Sequence, residues 1–175
     1  MIKIGITYGL VIAVVIALVN SFFVDIYGVE SESVTSFLGF LPLLVLAVGL
    51  FVAMRKTKKE VHQNNLTFGQ AIYSGIVVCA IAAVSLGVIY FFYYQLINKN
   101  YADKVISMEV PKMEKSNFKP TQIALEIAKI KESYYPINVL IGTTIFMLIS
   151  GIAISAIFSS ILRTKDTFTE IVKRK

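Results

Sequence analysis

The stretch FGQAIYSGIVVCAIAAVSLGVIYFFYYQL, Phe68–Leu96, decides the fold: 29 consecutive residues without Asp, Glu, Lys, Arg or His. As a helix rising 1.5 Å per residue it would run about 43 Å, against roughly 30 Å of hydrocarbon in a bilayer. A run this long and this free of charge is a membrane span, and it must tilt or project as helix past its Tyr cluster toward Asn98. Three further runs share the property: Ile4–Val24, Ser33–Met54 and Pro136–Leu162, of 21, 22 and 27 residues. Each reaches across. The chain therefore reads as one membrane domain over residues 1–175. Its fold class is an all-α integral membrane bundle of four transmembrane helices, at about 4–24, 33–54, 68–96 and 136–162. A long, partly helical segment of about 97–135 joins helices three and four.

Composition agrees, with 56% apolar and 16% charged residues where a soluble domain has about a quarter charged. A net charge of +6 would suggest nucleic acid in a soluble protein. Here the cations flank the spans, where they set topology and meet anionic headgroups, so no nucleic-acid partner is expected. The first span is too long for a signal peptide and no Ala-x-Ala-like site closes it, so it reads as retained. Ten of 17 basic residues fall on one side: Lys3, the cluster Arg55, Lys56, Lys58 and Lys59 in a short loop, and Arg163, Lys165, Lys173, Arg174 and Lys175. The first connection on the other side has Asp25, Glu30 and Glu32 and no cation. The positive-inside rule then puts both termini in the cytoplasm.

Aromatics gather at the opposite boundary: Phe22, Phe23 and Tyr27; Phe37 and Phe40; Tyr90, Phe91, Phe92, Tyr93 and Tyr94; Tyr134 and Tyr135. Amphipathic rings favour the headgroup level.

Small residues recur every fourth position. Span three has Ala71, Gly75, Cys79, Ala83 and Gly87; span one has Gly5, Gly9, Ala13, Ala17 and Ser21; span four has Gly151, Ser155 and Ser159; span two only Gly49 and Ala53. Such rows let backbones approach where lipid supplies no hydrophobic drive. Packing within the bundle and a homo-oligomer interface are both open. Because four residues overshoot a 3.6-residue turn, each row is expected to wind and touch different neighbours at its two ends. At the start of span three, Thr67 and Gln70 have capping-box spacing.

In the outer segment Tyr101, Val105 and Met108 recur at i, i+4 and i+7, and Pro111 is expected to stop the pattern. After Pro120 a second stripe follows: Ile123, Ile127, Ile130 and Tyr134. Two short amphipathic helices around a turn from Pro111 to Pro120 result. They either lie against the membrane or the end of span three, or present a docking surface to another membrane protein.

Chemistry is scarce. The spans hold no ionisable residue beyond Tyr and Cys79, so ion coupling and proton relay lack their usual acid. Serines occur without an in-span base, the sole histidine, His62, reads as a solvated loop side chain, and one cysteine excludes an internal disulfide. No cofactor, metal or catalytic residue is expected. Polar groups at Gln95, Asn138, Thr143, Thr144 and Ser150 would either line a small cavity or bond helix to helix. Two functions follow: a non-enzymatic structural or accessory component, or a small transporter or lipid-handling protein for an uncharged solute.

The run Leu66–Val105 carries Phe68-Gly69-Gln70-Ala71, Gly75, the Tyr90–Tyr94 cluster and Gln95-Leu96-Ile97-Asn98. It resembles a family of four-span bacterial membrane proteins known as domain of unknown function 4199. The layout of short first loop, basic middle loop, long outer loop and basic tail is similar too. The resemblance implies a protein of the bacterial cytoplasmic membrane, and it brings no activity with it.

Overall fold

The computed structural model describes residues 1–27 and 32–164. The side chains of Phe22, Phe23, Asp25, Tyr27, Glu32 and Phe37, together with Glu30 and the basic residues from Lys165 onward, lie outside the described part. Six α-helices follow in order: α1 (Ile2–Tyr27), α2 (Glu32–Glu60), α3 (Phe68–Phe92), α4 (Tyr101–Lys115), α5 (Pro120–Ser133) and α6 (Pro136–Leu162). A π-helical turn, Tyr93–Ile97, extends α3. Among the described residues there is no strand. Four segments are long and apolar enough to cross a membrane: Ile2–Ser21, Phe40–Glu60, Phe68–Ile97 and Pro136–Leu162.

The packing follows from the solvent. In lipid a bulky apolar side chain gains nothing by moving inward, so the helices turn their small residues to one another and their large ones out. On α1 the row Ile6, Leu10, Val14 and Leu18 is exposed, as are Ile145, Ile149 and Ile152 on α6. Helix α3 is central: α6 packs along one face and α1 along another, while α2 closes against α1 and α6. The core holds Ile12, Ile16, Leu46, Leu50, Val78, Leu86 and Met147, all buried.

One end of the bundle is tied by polar bonds. Lys58 Nζ donates to the Leu162 carbonyl at 2.8 Å, satisfying an orphan acceptor at the C-terminus of α6, where a cation suits the helix dipole. Thr164 clasps the loop before α3. Its Oγ1 donates to the Asn64 carbonyl (2.7 Å) and accepts from Leu66 N–H (3.0 Å). Its own N–H donates to the Leu66 carbonyl at 2.9 Å. With Lys56 over the Tyr8 ring at 5.5 Å, the start of α1, the end of α2, the start of α3 and the end of α6 share this end.

Three expectations need correction. Arg55–Lys59 is not loop but the last turns of α2. Lys and Arg are good helix formers, and the chain turns only at Gln63 and Asn64, both at positive φ. Pro111 does not stop its helix: α4 runs through it to Lys115, and the turn falls at residues 116–119, with Asn117 at φ 58°. Ser107, whose carbonyl loses its partner to Pro111, is exposed, so water can serve that acceptor. His62 is half-buried with its Nε2 covered and unbonded among the described residues, because the turn after α2 folds it back.

Candidate functional site

Each glycine in the small-residue rows is a place where a neighbouring helix fills the space of a missing Cβ. On α3, a Cβ at Gly75 would meet Ser155 Cβ at 2.7 Å, and one at Gly87 would meet Thr144 Oγ1 at 2.5 Å and the Leu140 carbonyl at 3.0 Å. On α6, a Cβ at Gly151 would lie 2.9 Å from Cys79 Cβ and closer still to its sulfur. Cys79 Sγ donates to the Met147 carbonyl at 3.2 Å, and Thr144 Oγ1 donates to the Ala83 carbonyl at 3.4 Å. Ala71, Cys79, Ala83, Ser155 and Ser159 are all buried inside the chain.

The row on α3 keeps α6 as its neighbour along its length and gains α2 at one end, so its two ends differ in part as the sequence reading expects. From Gly75 to Gly87 it faces α6, and Met54 of α2 joins at the Ala71 and Gly75 end. A row of spacing four is inclined to its helix axis, and a partner that crosses along that inclination stays over the row. The row on α1 meets α3 in the same manner: a Cβ at Gly5 would touch Val77 Cγ1 at 2.7 Å and one at Gly9 the Val78 carbonyl at 2.9 Å. Ala13 is buried beside them. Gly49 of α2 faces Ile12.

Hydroxyls in the spans mostly return to their own backbone, as Ser and Thr do inside helices. Ser74 Oγ donates to the Ala71 carbonyl, Ser159 Oγ to that of Ser155 and Thr57 Oγ1 to that of Ala53, at 2.6–3.0 Å. Thr67 Oγ1 accepts from Gln70 N–H (3.3 Å) while Gln70 Oε1 accepts from Thr67 N–H (3.0 Å), a reciprocal cap on α3 at the membrane edge.

At the far end the tyrosines associate with one another as well as with the boundary. Tyr94 is the hub, with ring centroids 5.3 Å from Tyr93, 5.2 Å from Tyr101 and 5.9 Å from Tyr134; Tyr101 and Tyr134 are 4.9 Å apart. Tilted and edge-to-face pairs at these distances are favourable. Burial pushes the Tyr101 hydroxyl up to about 12 and raises that of Tyr134 as well. These rings root the hairpin of α4 and α5 onto α3 and α6. Tyr135 is exposed. Tyr101 was visible in the sequence only as the first member of an amphipathic stripe; its partnership with Tyr94 was not.

Tyr90 accepts a hydrogen bond from Asn20 Nδ2 of α1, a link that sequence reasoning missed although Asn20 is the one amide in its span. The pair borders a cavity of about 280 Å³ between α1, α2, α3 and α6, lined also by Thr143, Ile16, Leu86 and Met147. Asn20 Oδ1 is buried without a partner among the described residues. Asn138 Nδ2 instead donates to the Glu132 carbonyl at 2.8 Å, and Gln95 is exposed. Among the described residues no group of three or more His, Cys, Asp or Glu could hold a metal.

This geometry defines an all-helical chain with four helices fit to cross a membrane and a helical hairpin outside them, the pattern of a multi-pass membrane protein. The chain belongs to the DUF4199 family, described as a protein of unknown function, whose model matches residues 3–164. No curated protein and no solved structure matches it.

Proposed function

We propose that this protein is a non-enzymatic structural or accessory component of a bacterial cytoplasmic membrane, with both termini cytoplasmic and the α4–α5 hairpin offered to a membrane-protein partner. The observation that carries this reading is how the polar and small residues are used. The rows that would serve a second copy are covered by the chain's own helices, and the hydroxyls of Ser74, Ser159 and Thr57 are bonded to their own backbone. What remains uncommitted is the hairpin, which leaves Leu125 63% and Phe118 44% exposed. The orientation rests on the Arg55, Lys56, Lys58 and Lys59 cluster.

Gentle extraction in mild detergent tests it, comparing the intact chain with one whose residues 104–131 are replaced by a short flexible linker that keeps Tyr101 and Tyr134. Other membrane proteins travelling with the intact chain at fixed ratio, and lost from the shortened one, support the reading. An intact chain that runs alone, or partners indifferent to the hairpin, would overturn it.

A second reading, handling of an uncharged solute or lipid, draws on the cavity beside Asn20, Tyr90 and Thr143. Its mostly apolar wall with a few polar groups is the usual make-up of a small-molecule site, although about 280 Å³ is at the small end. Flux of uncharged solutes into vesicles holding the protein, abolished by Thr143→Phe, is the result this reading requires.

A further inference from the structure

A second cavity lies at the opposite end, where α2 and α6 finish. It encloses about 560 Å³ between Arg55, Lys56, Lys58, Lys59 and Asn64, with Val52 and Leu162 as its apolar side. Two of its cations are fixed by the fold: Lys58 on the Leu162 carbonyl, and Lys56 between Glu60 at 3.7 Å and the Tyr8 ring. Arg55 and Lys59 are exposed, and among the described residues neither has an ion-pair partner. Four cations thus face one carboxylate, at the level where a span leaves the hydrocarbon.

Below the groove the surface changes character in a directed way. On α2 the exposed residues Phe40, Leu44, Val48 and Val52 form a row of spacing four that ends at the cations. On α6, Ile157 and Ile161 are likewise exposed. Phe51 and Phe158, edge to face at 5.3 Å, close the seam between the two helices. A cationic head with an apolar track leading away from it matches a lipid with a negatively charged headgroup.

We propose that this groove binds the phosphate group of an anionic phospholipid, Arg55 and Lys59 contacting its oxygens and one acyl chain lying along the α2 row. The guanidinium of Arg55 can pair two phosphate oxygens at once, and Lys59 adds a point charge. A free phosphate ion would use the same cations but make no use of the row. That difference separates the two sources of this chemistry.

Native mass spectrometry of the full chain in mild detergent provides the test, titrating phosphatidylglycerol, phosphatidylcholine or inorganic phosphate. Expected is a saturable phosphatidylglycerol adduct of fixed stoichiometry, tighter than phosphatidylcholine. The double variant Arg55→Gln with Lys59→Gln should weaken it roughly 25-fold, about fivefold for each surface cation removed. Arg55→Lys with Lys59→Arg should retain it. Lys115→Gln with Lys131→Gln, the same charge change on the hairpin, should leave it unaltered. Equal binding of phosphatidylcholine overturns the charge argument. Equal loss in the hairpin variant overturns the location. Inorganic phosphate that binds and displaces the lipid overturns the lipid as occupant.

Discussion

Gly151→Ala is the sharpest perturbation of the seam between α3 and α6. The added methyl would sit 2.9 Å from Cys79 Cβ and inside the radius of its sulfur, where carbon atoms at rest stand about 3.5–4.0 Å apart. The helices must separate by most of an ångström, or Cys79 must leave its bond to Met147. Overpacking of this kind costs about 1–3 kcal/mol, so a loss near 2 kcal/mol is expected, a fall in melting temperature of roughly 4–8 °C for a chain of this size. Cys79→Ala alone removes one weak donor and should cost less than about 1 kcal/mol. In the double variant the sulfur is gone but the 2.9 Å approach to the Cβ of residue 79 remains, so the clash is relieved in part and the two losses should fall short of adding. The monodisperse fraction surviving a heating series in detergent, read by size-exclusion chromatography, measures all four corners of the cycle. Gly142→Ala is the control: no atom lies within 4 Å of its Cβ, and a helical Gly→Ala there should be neutral or gain up to about 1 kcal/mol. Strict additivity of Gly151→Ala and Cys79→Ala would refute the close approach.

Three further outcomes follow from the same structure. Thr67→Ala removes the acceptor for Gln70 N–H and should cost about 1 kcal/mol, while Thr67→Ser keeps it; thermal stability in detergent distinguishes them. Tyr90→Phe leaves the Asn20 amide unbonded in an apolar surround, a loss of about 1–3 kcal/mol; an equal loss in an Asn20→Leu background would contradict the pairing. For Tyr101 the folded hydroxyl is raised to about 12, above an unfolded value near 10. Folding therefore favours its neutral form, so the hairpin root holds its full stability below about pH 10 and loses it as pH climbs from 10 toward 12. The tyrosinate absorbance difference between the native protein and Tyr101→Phe should rise near pH 12; a rise near 10 would count against the buried root.

The spans were legible because charge-free length is a one-dimensional property that the bilayer enforces along the chain. The cap at Thr67 and Gln70 was legible for a similar reason: its partners are three residues apart. The small rows were visible as rows, but the identity of the covering helix depends on how two axes cross, and no single segment encodes that. Likewise the Tyr94, Tyr101 and Tyr134 contacts join three elements up to 40 positions apart. Pro111 misled because the proline rule is a cost rather than a prohibition, and an exposed site lowers one part of it. On an exposed turn water takes the freed carbonyl, and the helix continues. The Arg55–Lys59 cluster misled because positive charge marks where lipid ends rather than where helix ends.

The central place of α3 also bears on the order of synthesis. Its contacts with α1 can form once residue 96 has emerged, but those with α6 are complete only when the ribosome has added another 66 residues. At about 5–20 residues per second this takes roughly 3–13 s. During that interval the Ala71–Gly87 face lies wholly or partly bare in the membrane, a groove of glycine and alanine that any neighbouring helix with small residues can enter. The hairpin between the two helices therefore sets a delay in addition to joining them, and shortening it would shorten the period in which the nascent chain can be captured by the wrong partner.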